Sequence, residues 1–246
     1  MSRFTNKTVI VTGGAGGIGL ATAERFANEG ARVVIADRDG DRANAAAEQV
    51  KHAGAPDAWA CVCDVADQAQ VASCVRDTLT RGGALDVVVN NAGLMTFKSI
   101  PDLTAEDWTR VLGVDLLGAF FFIQQAFAHM QRGGAVVNVA SIHALATEPM
   151  VAPYAAAKAA LVSLTRSAAI EARSREIRIN AVLPGAVDTP MLWDNPNVKA
   201  GIEVIDRNDV GAPADIAATI AFLASDDAKF VQGTTLVVDG GRLGRL

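Results

Sequence analysis

Thr8-Val9-Ile10-Val11-Thr12-Gly13-Gly14-Ala15-Gly16-Gly17-Ile18-Gly19 is the stretch that decides the fold. A β-branched run of strand length passes through a glycine-rich turn into a segment of helical period that opens at about Ile18. Glycines at 13, 17 and 19 permit a tight turn, a close backbone approach to a pyrophosphate, and close packing of helix on strand. The helix N-terminus that follows offers free N–H donors and a positive dipole end to phosphate oxygens.

Working outward, the same alternation repeats along the chain. Apolar, β-branched runs recur at Thr8–Thr12, Arg32–Asp37, Ala58–Asp64, Val87–Asn90, Ala135–Ala140, Ile177–Leu183 and Thr235–Val238. Between them lie segments of helical period at Ile18–Glu29, Arg42–His52, Gln68–Arg81, Thr104–Met130, Tyr154–Arg173 and Ala214–Leu223. Strands that read as apolar runs, joined through helices, imply a parallel sheet covered on both faces. The expected fold class is α/β, one doubly wound seven-stranded sheet spanning residues 1–246, with ligands at the carboxyl ends of the strands.

Asp37 closes the second strand, 18 positions after Gly19. A carboxylate there accepts hydrogen bonds from the 2'- and 3'-hydroxyls of an adenosine ribose and repels a 2'-phosphate. NAD is therefore expected ahead of NADP. Arg38 follows directly and is the residue that can steady a 2'-phosphate.

Composition narrows the partners. The 246 residues carry 27 acidic against 22 basic side chains, a formal net charge of -5 that argues against a nucleic-acid partner. The chain's opening residues Met1 to Lys7 lead straight into a strand-like run, so no secretory signal is expected. Its most apolar stretch, Val111 to Ala128, is interrupted by Asp115, Gln124 and Gln125, so no membrane span is expected and a cytoplasmic location is. Of the three cysteines, Cys61 and Cys63 alternate on one strand face; no Cys/His cluster has zinc spacing, and buried thiols are expected rather than a metal site.

A second constellation lies later. Tyr154, the one tyrosine in the chain, stands thirteen residues after Ser141 and four before Lys158. Positions i and i+4 share a helix face. A phenol is a poor acid–base group at its ordinary pKa of about 10, and a neighbouring ammonium stabilises the phenolate. Ser141, just after a strand, sits where a hydroxyl can bond a substrate oxygen.

Together these residues resemble the short-chain dehydrogenases/reductases, and the likeness covers essentially the whole chain. The turn Thr12 to Gly19 resembles that family's cofactor signature, Asp64-Val65 its adenine-contacting pair, and Asn90-Asn91-Ala92-Gly93 its strand-four motif. Ser141, Tyr154 and Lys158 match its catalytic serine, tyrosine and lysine. Pro184-Gly185, with Val187 and Thr189 behind, resembles the segment that holds the nicotinamide carboxamide, and Val237 to Gly241 the last strand.

The resemblance implies a Rossmann-type fold, a homotetramer or homodimer, and hydride transfer between the nicotinamide and a small secondary alcohol or its ketone. In that reaction Tyr154 is the general acid/base, Lys158 lowers its pKa and holds the nicotinamide ribose, and Ser141 orients the oxygen. It also implies a substrate pocket built from Leu94, Met95 and Thr96, from Ile142 and His143, from Glu148 to Val151, and from Met191 to Asp209. Met95, Met150, Met191, Leu192 and Trp193 make that pocket apolar, suited to cyclic, aromatic or medium-chain alcohols.

One position departs from the pattern. Where the family carries a catalytic asparagine, this chain has Asp115, which accepts but does not donate when ionised. The expectation is a working proton relay with an altered pH profile. Two other readings remain: a 3-oxoacyl-(carrier protein) reductase, against which Asp37 argues, and a non-catalytic NAD-sensing regulator, against which the intact Ser141, Tyr154 and Lys158 argue.

Overall fold

The computed structural model describes residues 2–202 and 204–245. Seven strands form one parallel sheet in the order β3-β2-β1-β4-β5-β6-β7. They are β1 Thr8–Thr12, β2 Arg32–Asp37, β3 Ala58–Val62, β4 Val87–Asn90, β5 Ala135–Val139, β6 Arg178–Pro184 and β7 Thr235–Val238. The order reverses between β1 and β4, and the strand ends part there into a crevice.

Alternation along each strand builds two cores. Val9, Val11, Val33, Ile35 and Val89 face one side, where α1 (Gly17–Asn28), α2 (Gly40–His52) and α9 (Pro213–Ala224) cover them with Phe26, Val50 and Ile220. Ile10, Val34, Val88 and Val136 face the other, under α3 (Gln68–Gly82), α5 (Gly118–His129) and α6 (Ala152–Ala172). Val9, Ile10, Val33 and Val34 all have no exposed surface, as a sheet sandwiched between helix layers requires. A buried polar ladder ties the middle of the sheet to α6: Asn90 Nδ2 donates to Asn138 Oδ1 at 2.8 Å, and Asn138 Nδ2 to Thr165 Oγ1 at 2.8 Å. Arg178, opening β6, donates to the carbonyls of Leu223, Ala224, Ser225 and Ala228 and so closes the C-terminus of α9.

The structure corrects several boundaries. β3 stops at Val62 rather than Asp64, because its register partner β2 ends at Asp37. The helix expected as one piece over Thr104–Met130 is α4 (Ala105–Leu112), a π-helical stretch Gly113–Leu117, and α5. Its start is sealed by a capping box between Thr104 and Asp107. Glycines flank the wide turn, and a side chain at Gly118 would meet Val65 Cγ2 at 2.8 Å. By length and composition alone the rod Ala105–His129 is long and apolar enough to cross a bilayer, a test that a buried core helix also passes. In this fold it instead packs Phe122, Ile123 and Ala126 into the second core. The segment after β6, which periodicity left without elements, holds two short helices, α7 (Pro190–Trp193) and α8 (Pro196–Lys199).

Candidate active site

The glycine turn is set by backbone geometry. Gly13 and Gly17 lie in the left-handed region, at φ 61° and 53°. A Cβ on Gly19 would stand 2.2 Å from the Gly13 carbonyl oxygen, so α1 touches the turn with no room for a side chain. Asn91, leaving β4, fastens the turn from the far side: its Nδ2 donates to Thr12 O at 2.9 Å and Gly13 O at 3.2 Å, while Thr12 Oγ1 accepts from the Asn91 and Ala92 N–H groups. The N-termini of α2 and α3 are capped by Asp39 and Asp67 side chains. That of α1 begins at Gly16, with no side-chain cap and no acidic residue in the first turn. Its donors are left to an anion, which is how the residues present fit a dinucleotide pyrophosphate.

Asp37 stands at the next strand end, where Oδ2 accepts from Ala15 N–H at 3.3 Å and Oδ1 from Asp39 N–H at 3.2 Å. Arg42, from the first turn of α2, reaches across the same turn and donates to Ala15 O at 3.4 Å.

The other half of the site gathers around α6. Ser141 follows β5 and caps a short 3-10 turn, its Oγ accepting from His143 N–H at 3.2 Å. Tyr154 and Lys158, one turn apart on α6, are both buried, as is Asp115 from the π-helical stretch. Lys158 Nζ donates to Val139 O at 3.0 Å and pairs with Asp115 Oδ1 at 3.2 Å. Asp115 Oδ2 accepts from Leu94 N–H at 3.1 Å. The ammonium lies 5.5 Å from the centre of the Tyr154 ring, and the His143 ring meets Tyr154 edge-on at 5.7 Å between centroids.

Electrostatics here differ from the simple tyrosine–lysine expectation. Burial pushes the Tyr154 phenol above its ordinary range; Lys158 pulls it back, Asp115 pushes it up again, and a hydrogen bond from Ser141 lowers it. The net shift is upward. Burial works against the Lys158 ammonium, but the charges of Asp115 and Tyr154 outweigh it and the lysine holds its proton more tightly. Burial raises the Asp115 carboxyl, opposed by Lys158 and by the Leu94 N–H. The Lys158 ammonium is thus charge-paired with Asp115 and stands beside a phenol that holds its proton more tightly than usual.

A cleft of about 690 Å³ joins the two halves at the carboxyl ends of the strands. Its walls include Gly13, Gly17, Ile18 and Asp37 on one side, Asn91, Ala92 and Gly93 in the middle, and Ser141, Tyr154 and Lys158 beyond. Pro184, Gly185, Val187 and Thr189 close it from the end of β6. Other expected residues lie elsewhere. Gly19 is a packing glycine behind the turn, and Arg38 is exposed away from the cleft. Asp64 turns its carboxylate back to Ala66 N–H, and Val65 is buried against Gly118. Asp115 acts from behind Lys158 rather than from the wall.

The sequence profile of a family described as enoyl-(acyl carrier protein) reductase matches residues 13–242. A solved short-chain dehydrogenase from Burkholderia cenocepacia, in complex with NADP, superposes with a TM-score of 0.89 at 34% identity, covering 97% of this chain and 98% of its own. The chain belongs to the short-chain dehydrogenase/reductase family. Two curated relatives span nearly the same length. The 3beta-hydroxysteroid dehydrogenase 1 of Eggerthella lenta is 39% identical over 96% of this chain and 93% of its own. The meso-2,3-butanediol dehydrogenase of Serratia marcescens is 37% identical over 97% and 95%. This short-chain dehydrogenase/reductase is accordingly an oxidoreductase of secondary alcohols and ketones, with a site for a nicotinamide dinucleotide.

Within this family member the cleft is also lined by Met95, Ile142, His143, Glu148, Met191 and Leu192, all from the segments expected to build a substrate pocket. Trp193 and Met150 are not in its wall. The Trp193 indole N–H donates to Asp188 at 2.7 Å, and Arg207 stacks over its ring at 5.3 Å, beside the cleft rather than inside it. Thr96 is buried and accepts from Arg110. Sequence reasoning missed Arg42 and Arg242, which also line the cleft; Asn195 lines it too, from the expected segment Met191 to Asp209. Arg42 carries a legible signal, a basic side chain in the first turn of the helix after Asp37. Arg242 lies about a hundred residues from Ser141, and only the closing of the sheet brings it in.

Proposed function

We propose that the chain oxidises a small secondary alcohol, or reduces the ketone, with NAD preferred over NADP and Tyr154 as the general acid/base. The observation that carries this is the placement of Ser141, Tyr154 and Lys158 on the wall of the same cleft as the uncapped N-terminus of α1. The bound nicotinamide supplies the hydride acceptor or donor. In the oxidation direction the Tyr154 phenolate takes the hydroxyl proton, and Ser141 Oγ holds the substrate oxygen. Lys158 is fixed by Val139 O and Asp115, so its ammonium stabilises the phenolate from one side of the ring and would hold the ribose of a bound nicotinamide dinucleotide. Burial and Asp115 raise the phenol, which favours its proton-donating form, and oxidation is favoured as the pH rises.

NAD preference rests on Asp37, held in the cleft wall by the Ala15 and Asp39 N–H groups. A 2'-phosphate beside that carboxylate meets like charge, although Arg42 tempers the repulsion from across the turn. The chain works in the cytoplasm, a reading supported by three free thiols, Cys61, Cys63 and Cys74. It assembles as a homotetramer or homodimer, supported by the apolar surface that Phe230, Leu236 and Val237 expose at and before the β7 edge. The test is Tyr154→Phe. Turnover should be abolished while dinucleotide binding, followed by quenching of tryptophan fluorescence, stays nearly intact; retained turnover would sink the assignment.

A further inference from the structure

All three cysteines of the chain meet in one place, away from the cleft wall. β3 is an edge strand of the sheet, and Cys61 lies on it, opposite Ala36 of β2. The pairing runs one residue past the end of β3, where Cys63 N–H donates to Asp37 O at 2.9 Å. Alternation therefore holds through Cys63 and sends the Cys61 and Cys63 side chains to the same face. That face is the one α3 covers. Cys63 and Cys74, the latter from the second turn of α3, are buried in the second core with Val71 and Val75, and Cys61 packs against them half-buried. The Cys74 thiol is hydrogen-bonded to both Cys61 and Cys63, so it bridges the two strand thiols from the helix side. Among the described residues no three cysteine, histidine or acidic side chains are arranged to hold a metal ion, which leaves thiol–thiol chemistry as what this cluster can do.

The two ends of the Cys61–Cys74 contact are unlike. Cys63 and Cys74 are each 1% exposed, whereas Cys61 is half-buried on the edge strand and is the thiol that a small oxidant reaches. The hydrogen bond with Cys74 lowers the Cys61 thiol, against burial and the charge of Asp77, so Cys61 gives up its proton more readily than usual. The contacts with Cys61 and Cys63, with burial behind them, push the Cys74 thiol well above its ordinary range. A thiolate is the nucleophile, and an accessible one with a second thiol beside it is the arrangement that peroxide oxidation selects.

We propose that Cys61 and Cys74 form a dithiol oxidised by hydroperoxides, with Cys61 as the attacking sulfur and Cys74 as the resolving one. This site is independent of the dehydrogenase reading. The Cys61 thiolate attacks a peroxide oxygen; the O–O bond breaks, Cys61 becomes a sulfenic acid, and the departing hydroxide or alkoxide takes a proton from solvent. The Cys74 sulfur then attacks the Cys61 sulfur, the S–O bond breaks, and the Cys74 proton leaves with the hydroxyl group as water. Two electrons pass from the sulfur pair to the O–O bond, and one disulfide forms. The sulfurs must close from hydrogen-bonding separation to about 2.05 Å, and an edge strand, paired on one side only, is free to shift toward α3. A thiol reductant returns both thiols by exchange.

The test treats the full-length reduced protein with hydrogen peroxide, quenches it in acid, alkylates it and maps non-reduced peptides by mass spectrometry. Titratable thiols should fall from three to one, with a linked Cys61–Cys74 peptide and an alkylated Cys63. Dithiothreitol should restore all three. Cys74→Ala removes the resolving sulfur and should leave Cys61 as the residue labelled by dimedone, a trap for sulfenic acids. Cys61→Ser, at a half-buried position, should slow the loss of the two remaining thiols at least about tenfold, because both are shielded from solvent. Cys63→Ala should leave the crosslink in place. Circular dichroism verifies the fold of each variant, and where a buried substitution fails to fold the wild-type peptide map decides the matter by itself. A Cys63–Cys74 crosslink with Cys61 free overturns the proposal. So does oxidation of wild-type Cys61 that stops short of a crosslink, thiol loss that is equally fast in Cys61→Ser, or three thiols that react only after urea has unfolded the protein.

Discussion

Replacing Asp115 by asparagine isolates the charge that stands behind Lys158. The amide oxygen can still accept from Leu94 N–H, so the local fold keeps that bond. What disappears is one negative charge 3.2 Å from Lys158 Nζ, itself 5.5 Å from the Tyr154 ring centre. Those two separations place the carboxylate within about 9 Å of the phenol ring. Coulomb's law at that distance gives about 2 kcal/mol at an effective dielectric near 20 and about 0.5 kcal/mol in bulk water. The sign follows from the site: Asp115 pushes the phenol up, so its loss stabilises the phenolate and lets Lys158 act unopposed.

The acidic limb of kcat/KM for alcohol oxidation should therefore move to lower pH. At a fixed pH below that limb, oxidation should speed up by between about twofold and thirtyfold, the energies above converted to rates. The assay is reduced-dinucleotide absorbance across the pH range with the wild-type enzyme and Asp115→Asn, with circular dichroism to verify the fold. A limb that stays in place, or moves to higher pH, would refute the idea that Asp115 sets the proton affinity of Tyr154.

Gly19→Ala should abolish dinucleotide binding and destabilise the protein together, because the new methyl group would overlap the Gly13 carbonyl at 2.2 Å and the Asn91 amide at 2.6 Å; fluorescence titration and thermal melting check the two effects. Arg178→Met leaves the last carbonyls of α9 without their donors, a loss of about 2 kcal/mol that should lower Tm by roughly 4–8 °C in calorimetry. Asp37→Ser should shift the NAD:NADP ratio of kcat/KM toward NADP by at least about tenfold, as the repulsion goes and Arg42 remains; an unchanged ratio would remove Asp37 from cofactor selection.

The doubly wound sheet was legible because each of its signals is local. Strand runs such as Thr8–Thr12 and Val87–Asn90 appear in the structure with the expected limits, and the helices between them agree within two residues at either end. The glycine turn and the Ser141, Tyr154 and Lys158 spacing were readable for the same reason: backbone freedom and the i, i+4 face are properties of short segments. The π-helical interruption at Gly113–Leu117 was not, because it depends on Val65 packing against Gly118 from another element.

Charge was harder still. The sequence by itself put a lysine one turn from the only tyrosine and an aspartate in the family's asparagine position, but the net proton affinity of the phenol depends on burial and on the 3.2 Å ion pair. Both come from the packing of α6 against the helix that carries Asp115. In the same way, the family resemblance marked Met95 and Met191 as pocket lining, whereas Arg242 enters the pocket only because β7 pairs with β6 and the Gly240-Gly241 turn folds back over its end. Local backbone preference therefore determined the elements and the catalytic spacing; long-range burial decided which charges face one another, because electrostatic strength depends on distance and on the water that tertiary structure excludes.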